Sequence, residues 1–324
     1  MRTYAIPQTT LDASRIAYGC MNIGGQWSTT PLTDDGRLRA SRAVHAAVDA
    51  GITLFDHADI YCRGKSEEVF GGILRSSPGL RSKIVLQSKC GIRVANDPEP
   101  GLPGRYDFSA AHILASVDGS LRRLGSDTLD LLLLHRPDPL VEPEEVARAF
   151  DTLHASGKVR WFGVSNHTAG QIELLRSAVD QPLVVNQVEL SLLHHYLISE
   201  GIIADRNEPG SPRAEGTLDY CRRQNIFVQA WAPVAGGRLF DPAPGAESHV
   251  RAAAELVAAM AAEKQTSAEA IVLAWLLRHP ARIQPIIGTT QPGRIAASCL
   301  ADGIDLSREE WYALFTAARG AKVP

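Results

Sequence analysis

Four side chains of complementary chemistry, Asp56, Tyr61, Lys89 and His135, each stand at or just past the end of a short apolar run. The runs, residues 52–55, 84–86 and the unbroken 131–134, are too short for helices and each is followed by a polar residue. As neighbouring parallel strands they would bring an acid, a phenol, an ammonium and an imidazole together beyond their carboxyl ends, where buried parallel sheets collect catalytic groups. Such a set suits carbonyl chemistry. A carbonyl that receives hydride needs a proton on its oxygen, and a phenol can supply it if its pKa is brought down from about 10. Lys89 would stabilise the tyrosinate, Asp56 would keep the lysine charged and oriented, and His135 would bond the substrate oxygen or polarise the phenol. In GITLFDHADIY, residues 51–61, the acid falls at the strand end and the phenol one short loop beyond it.

The elements that must position these groups follow an alternating rhythm. Strand-type runs are read at residues 16–18, 53–55, 84–86, 131–134, 162–164, 183–185, 226–229 and 284–287. Between them lie segments with apolar residues three or four apart, such as Ile113, Leu114, Val117, Leu121 and Leu124, or Val146, Phe150 and Leu153. Helix starts are expected at Asp34-Asp35, at Ser66 before Glu67-Glu68, at Ser109 and at Glu142 with Pro143. Eight βα units predict a single (β/α)8 TIM barrel, with residues 4–10 left as a cap on its bottom; a doubly wound open sheet is the runner-up. Additional helices are expected at 247–262 and 267–278, between the last two strands, and at 308–318. The connections at 91–108 and 199–212 are long, polar and rich in turn residues, and with 21–31 they would overhang the mouth and select substrate.

Composition narrows the function. The chain has 324 residues, is 45% hydrophobic and 21% charged, carries a net charge of −3 and shows no visible linker, which favours one domain over residues 1–324. It lacks the sustained basic stripe that nucleic acid requires. No apolar stretch approaches the roughly 18–20 residues that span a bilayer, and the first residues lack a signal-peptide core, so no membrane partner is expected and the protein is read as cytoplasmic. Five cysteines without a C-x-x-C pair fit reduced thiols rather than a disulfide frame or a zinc site. Cys62 and Cys90 flank Tyr61 and Lys89, which raises the question of oxidation sensitivity.

Asp56 with Tyr61, Lys89 in IVLQSKCGI and His135 in LDLLLLHRP resemble the Asp-Tyr-Lys-His tetrad of the aldo-keto reductases. The resemblance continues in order through GKVRWFGVSNH, VVNQVELSLLHH, VQAWAPVAGGRLF and PIIGTTQPGRI, and is closest to a bacterial oxidoreductase subgroup that reads DHADIY and SKCGI. It implies a barrel that binds NADP(H) in extended form without a G-x-G-x-x-G loop, and the chain has no such loop. By motif, Ser165, Asn166 and Gln187 would hydrogen-bond the nicotinamide carboxamide and Trp231 would stack on the ring. Gly236 and Arg238 match the loop over the pyrophosphate, where glycine permits close approach and arginine neutralises charge. Gly288, Thr289 and Arg294 fall where a helix start suits the 2′-phosphate. Many members of the family carry a lysine in that loop and a Glu-Asn pair on the helix; this chain has Thr289 or Thr290 and Ala297-Ser298, so NADPH preference rests on Arg294.

The expected activity is NADPH-dependent reduction of an aldehyde or ketone, with Tyr61 as proton donor and a small carbonyl compound as partner. The alternative is an NADP(H)-binding regulatory subunit that senses redox state, which a carbonyl panel would discriminate. A metal-assisted hydrolase would need ligands at several strand ends; only Asp56, His57, Asp59 and His135 offer them, beside the unsuitable cation Lys89, so no metal is expected. Trp27 is read as a wall of the substrate pocket, with a surface-packed aromatic as the equal alternative. His57 is read as structural, Trp161 as packing beside its strand, and His194-His195 lacks the carboxylate or spacing of a metal pair.

Overall fold

The computed structural model describes residues 1–203 and 215–324. An antiparallel ribbon, β1 (Thr3–Ala5) with β2 (Asp12–Ser14), leads into the first barrel strand. Among the described residues eight parallel strands close a barrel. They begin with β3 (Ala17–Gly19), β4 (Leu54–Asp56) and β5 (Val85–Cys90). After a small ribbon of β6 (Ile92–Arg93) and β7 (Arg105–Tyr106) come β8 (Leu129–Leu134), β9 (Val159–Ser165), β10 (Leu183–Glu189), β11 (Phe227–Trp231) and β12 (Gln284–Ile287). The eight pair in chain order and β12 returns to β3, which excludes the open sheet.

Helices α1 (Asp34–Asp49), α2 (Lys65–Ser76), α3 (Ala110–Leu124), α4 (Pro143–Ala155) and α5 (Ala169–Arg176) each follow one strand. Two short helices, α6 (Tyr196–Ile202) and α7 (Thr217–Arg223), follow β10. As expected from the sequence, α8 (Ser248–Glu263) and α9 (Ala268–Leu277) join β11 to β12, and α11 (Arg308–Arg319) comes after α10 (Pro292–Cys299). Two boundaries need correction. Ser66 is not the cap of α2: that helix already begins at Lys65, after Gly64 in a left-handed conformation, and the Ser66 hydroxyl donates to the Met21 carbonyl. The connection read at 199–212 starts inside α6, and its residues 204–212 lie outside the described ones.

Alternation along each strand sorts the side chains. β5 turns Val85, Gln87 and Lys89 into the barrel, whereas Leu86 and Cys90 join the layer between strands and helices and Ser88 reaches Glu67 of α2. The lower interior is apolar: Leu54, Val85, Leu131, Leu133, Val185, Phe227 and Ile286 fill it. Ile6, only 1% exposed, packs onto this cluster from the turn between β1 and β2, with Tyr4 edge-on to Phe227. The N-terminal ribbon therefore closes the bottom of the barrel, and the polar side chains are displaced to the other end.

Close helix contact holds the loops above that floor. Between α2 and α3, a Cβ added at Gly71 would run into the Arg123 carbonyl oxygen and lie 2.8 Å from the Leu124 backbone. Alanine in place of glycine gains roughly 0.5–1 kcal/mol of helix propensity, but a backbone clash does not relax by rotating a side chain. Gly71→Ala is expected to destabilise the protein by about 1–3 kcal/mol, read as a lower urea midpoint. Beside it the fully buried Glu67 carboxylate accepts from Ser88 Oγ at 2.7 Å and from Arg123 Nε at 2.8 Å, tying α2 to both β5 and α3.

Candidate active site

The carboxyl ends of β4, β5 and β8 carry the acid, the ammonium and the imidazole. Pairing of β4 continues past its end, where the His57 amide donates to the Gln87 carbonyl at 2.8 Å and the Asp59 amide to the Lys89 carbonyl at 3.0 Å. This holds the short loop to Tyr61 against β5. At its tip the chain turns through left-handed Cys62, Arg63 and Gly64. Non-glycine residues tolerate that conformation at a cost, which is commonly borne near functional groups.

Lys89 lies at the centre. Its Nζ is 2.7 Å from each Asp56 carboxylate oxygen, 2.9 Å from the His57 carbonyl and 3.0 Å from the Tyr61 hydroxyl. Burial works against its charge, but Asp56 and then Tyr61 favour it, and the net effect raises the Lys89 pKa. For Tyr61 the sequence expectation is corrected. Lys89 does lower the phenol's pKa, but burial raises it more and the net direction is upward, because desolvation disfavours the charged phenolate. The phenol is thus protonated at neutral pH.

His135 meets Tyr61 edge to face at 5.7 Å between ring centroids. Burial, then Lys89 and Arg136, push its pKa well below the ordinary value, so the imidazole is neutral. Its Nδ1 is buried without a hydrogen-bond partner among the described residues. Trp27, half exposed, lies edge-on to Tyr61 at 6.5 Å from the other side. The guanidinium of Arg136 stands 5.4 Å from the centre of the Trp231 ring and is ion-paired to no acid among the described residues. Tyr196 is near enough that both Glu189 and Arg136 act on its phenol, and its ring meets His194 edge-on.

The residues linked by motif to the cofactor divide into two groups. Ser165, Asn166, Gln187 and Trp231 are brought together beside the tetrad: Trp231 Nε1 donates to Asn166 Oδ1 at 2.9 Å, and Asn166 Nδ2 donates to Ser165 Oγ at 2.8 Å and to the His135 carbonyl at 3.2 Å. Ser165 Oγ in turn donates to the Gln187 carbonyl at 2.8 Å. The Gln187 amide donates to Asp56 Oδ1 and to Gln229 Oε1, both at 3.1 Å, and its own Oε1 accepts no hydrogen bond among the described residues. Gly236, Arg238, Gly288, Thr289 and Arg294 stand in the turns after β11 and β12 and at the start of α10. Gly236 has a positive φ, and exposed Arg238 donates only to the Ala235 carbonyl of its own turn among the described residues. Gly288 accepts from Asn22, and the Thr289 carbonyl accepts from Tyr18. Arg294 is ion-paired with Glu269 at 3.1 Å.

Sequence reasoning missed the glutamines beneath the tetrad. Gln87 Nε2 donates to Asp56 Oδ1 at 2.5 Å and to Gln229 Oε1 at 2.9 Å, and Gln229 Nε2 donates back to Gln87 Oε1 at 3.1 Å. Gln229 also donates to Gln284 Oε1 at 2.9 Å, and Gln284 to the Ser14 carbonyl at 2.6 Å. The signal was available: in each strand these glutamines share the inward parity of a recognised residue, Lys89 in β5 and Trp231 in β11. His57 has no polar partner for either ring nitrogen among the described residues; it packs edge-on to Phe70 at 4.5 Å, and burial, with Lys89 second, pushes its pKa down to about 3. Burial raises the Cys62 and Cys90 thiols, the condition of an inert cysteine, which argues against oxidation sensitivity at either. Among the described residues no group of three or more His, Cys, Asp or Glu side chains could hold a metal ion, and no helix is long and apolar enough to cross a membrane.

A sequence profile of the Aldo/keto reductase family matches residues 15–317. The chain is 39% identical over 315 residues to an uncharacterized oxidoreductase, YcsN, of Bacillus subtilis, with 97% of each covered. It is also 39% identical over 314 residues to a 6-dehydroglucose reductase of Agrobacterium fabrum, again with 97% of each covered. Among solved structures it resembles a glycerol dehydrogenase, AKR11B4, from Gluconobacter oxydans, with a TM-score of 0.80 and 28% identity over 99% of this chain and 97% of that one.

Proposed function

Because the chain belongs to the aldo/keto reductase family, we propose that it reduces an aldehyde or ketone to the alcohol with NADPH. The observation that carries this reading is the position of Lys89 Nζ between the Asp56 carboxylate and the Tyr61 hydroxyl. The residues present fit a nicotinamide. Gln187 has an oxygen free for a carboxamide N–H, Trp231 offers a flat face, and exposed Arg238, with no acid paired to it among the described residues, is available to neutralise a pyrophosphate. Bound there, the cofactor would supply the hydride. The chain's own part is the proton: it leaves Tyr61 Oη for the carbonyl oxygen, and the Lys89 ammonium stabilises the phenolate left behind. Asp56 keeps Lys89 charged and pointed at Tyr61. Neutral His135 orients the carbonyl oxygen rather than serving as an acid reservoir, because its proton affinity is too low to hold a second proton at neutral pH.

The walls of the mouth suit a hydroxylated carbonyl compound. Trp27 offers an aromatic face on one side, while Arg136, Tyr196, Glu189 and His194 offer donors and acceptors on the other. The 6-dehydroglucose reductase among the relatives agrees with that class. The test is carbonyl-dependent loss of NADPH absorbance over a panel of sugar-like and plain aldehydes, repeated with NADH. Hydroxylated aldehydes should lead and NADPH should be preferred; Arg294→Met should narrow the cofactor preference about tenfold, as for loss of one charged hydrogen bond. No turnover with any carbonyl would overturn the reading.

A further inference from the structure

Asp56 is held from below as well as from the side. Its Oδ1 takes three donors, Lys89 Nζ at 2.7 Å, Gln87 Nε2 at 2.5 Å and Gln187 Nε2 at 3.1 Å. Gln87 is fully buried on β5, two residues before Lys89 on the same inward face, and Gln229 is fully buried on β11 across the barrel. The two amides bond each other in both directions, so both Gln87 protons are engaged, one on Asp56 and one on Gln229 Oε1. A flipped amide would set its oxygen against the carboxylate, which fixes the orientation of Gln87. Gln229 is secured in turn by Gln284, and Gln284 by the Ser14 carbonyl at the start of the barrel. The lower interior nearby is apolar, and buried amides in such surroundings are costly unless every group is paired.

From this geometry we propose that Gln87, braced by Gln229, is a positioning residue for the reductase: it holds the Asp56 carboxylate aimed at Lys89. The proposal rests on the reaction assigned above. Lys89 alone does not fix the carboxylate, since a bidentate contact from one flexible ammonium leaves the plane of the carboxyl group free to swing about it. Gln87 approaches from the bottom of the barrel and removes that freedom. The titratable groups around Asp56 and Lys89 are Tyr61 and His57 from the loop after β4, Cys20 after β3 and His135 after β8. Burial keeps the thiol protonated and both imidazoles neutral, so Lys89 and Tyr61 are the groups whose charge Asp56 governs.

The experiment compares the unaltered protein with Gln87→Met and with the double variant Gln87→Met/Gln229→Met, in which the two paired amides leave together. The readouts are kcat/KM across pH, cofactor affinity by fluorescence titration and the thermal midpoint. A carboxylate that swings away from Lys89 loses part of its hold on Lys89 and Tyr61, both of which it raises. The alkaline limb of kcat/KM should therefore move down by about one pH unit and kcat fall about tenfold in both variants, as for one charged hydrogen bond. Cofactor affinity should hold in the single variant; in the double variant, which also takes a partner from Gln187 and from Gln284, the thermal midpoint should fall further. An unchanged pH profile, with only the thermal midpoint lowered, would reduce Gln87 to packing and overturn the proposal. Absence of carbonyl-dependent turnover in the unaltered protein would overturn the assigned reaction and the role of Gln87 together.

Discussion

Replacing Tyr61 by phenylalanine is expected to lower carbonyl-dependent turnover by about two to four orders of magnitude, the usual contribution of a positioned acid. The substitution removes one oxygen and keeps the ring that meets Trp27 and His135 edge-on. Lys89 keeps Asp56 and the His57 carbonyl, so the buried charge is not orphaned and the fold has no reason to loosen. Cofactor affinity should be little changed, because Ser165, Asn166, Gln187 and Trp231 make no hydrogen bond to the phenol. The raised Tyr61 pKa gives the result a direction in pH. Reduction needs the protonated phenol and should stay level through the neutral range, whereas the reverse oxidation needs the phenolate and should accelerate as pH rises. Steady-state rates in both directions, with fluorescence titration of NADPH, check this. Turnover by the Tyr61→Phe variant at a rate close to that of the unaltered enzyme would remove Tyr61 as the acid.

Stability is expected to fall steeply as pH drops below about 6.5, the ordinary imidazole value. Burial, with Lys89 second, pushes His57 down to about 3; burial pushes His167 down to about 4 despite the Ser165 carbonyl, and His135 falls well below its ordinary value. Between those values and the ordinary one the unfolded chain binds protons that the native state refuses. Stability is therefore complete above the unfolded value and is lost as pH falls toward the folded ones. A tenfold change in proton affinity is worth about 1.4 kcal/mol, so fully buried His57 and His167 together remove on the order of 5 kcal/mol by about pH 4. That is comparable with the whole stability of many domains. Asp59 works in the opposite sense. Burial raises it to about 7, so the native state takes up its proton first and gains stability on acidification, but one carboxyl stands against these three imidazoles and against His195 and His279, which burial also pushes down to about 4. Urea midpoints at about pH 7.5 and about pH 4.5 should differ accordingly, and His57→Leu should flatten the difference. Equal midpoints at the two pH values would refute the account.

Much of the fold was legible because period and strand ends are local properties. The run at 284–287 coincides with β12, and the other seven predicted strands each overlap an observed one, most of them shorter than the strand they mark. β5 was under-read at its far end, since Gln87, Ser88 and Lys89 are polar and a hydrophobic pattern stops where a buried site begins. Asp56, Tyr61 and Lys89 were legible for the same reason, as polar residues following apolar ones, and they do come within hydrogen-bonding reach. The glutamine chain was not legible. It joins β4, β5, β10, β11 and β12 across the interior, and which inward side chains meet depends on barrel closure rather than on spacing along any one strand. The start of α2 was misread because the chain enters it through Gly64 in the left-handed region, which favours glycine, and not through a serine cap.

The ribbon that plugs the barrel with Ile6 has a kinetic corollary. A barrel stopped at one end gives Lys89 and Tyr61 a single door. Whatever binds deepest must arrive first and leave last, so two-substrate kinetics should be ordered: a dead-end alcohol should raise the apparent affinity for the nicotinamide.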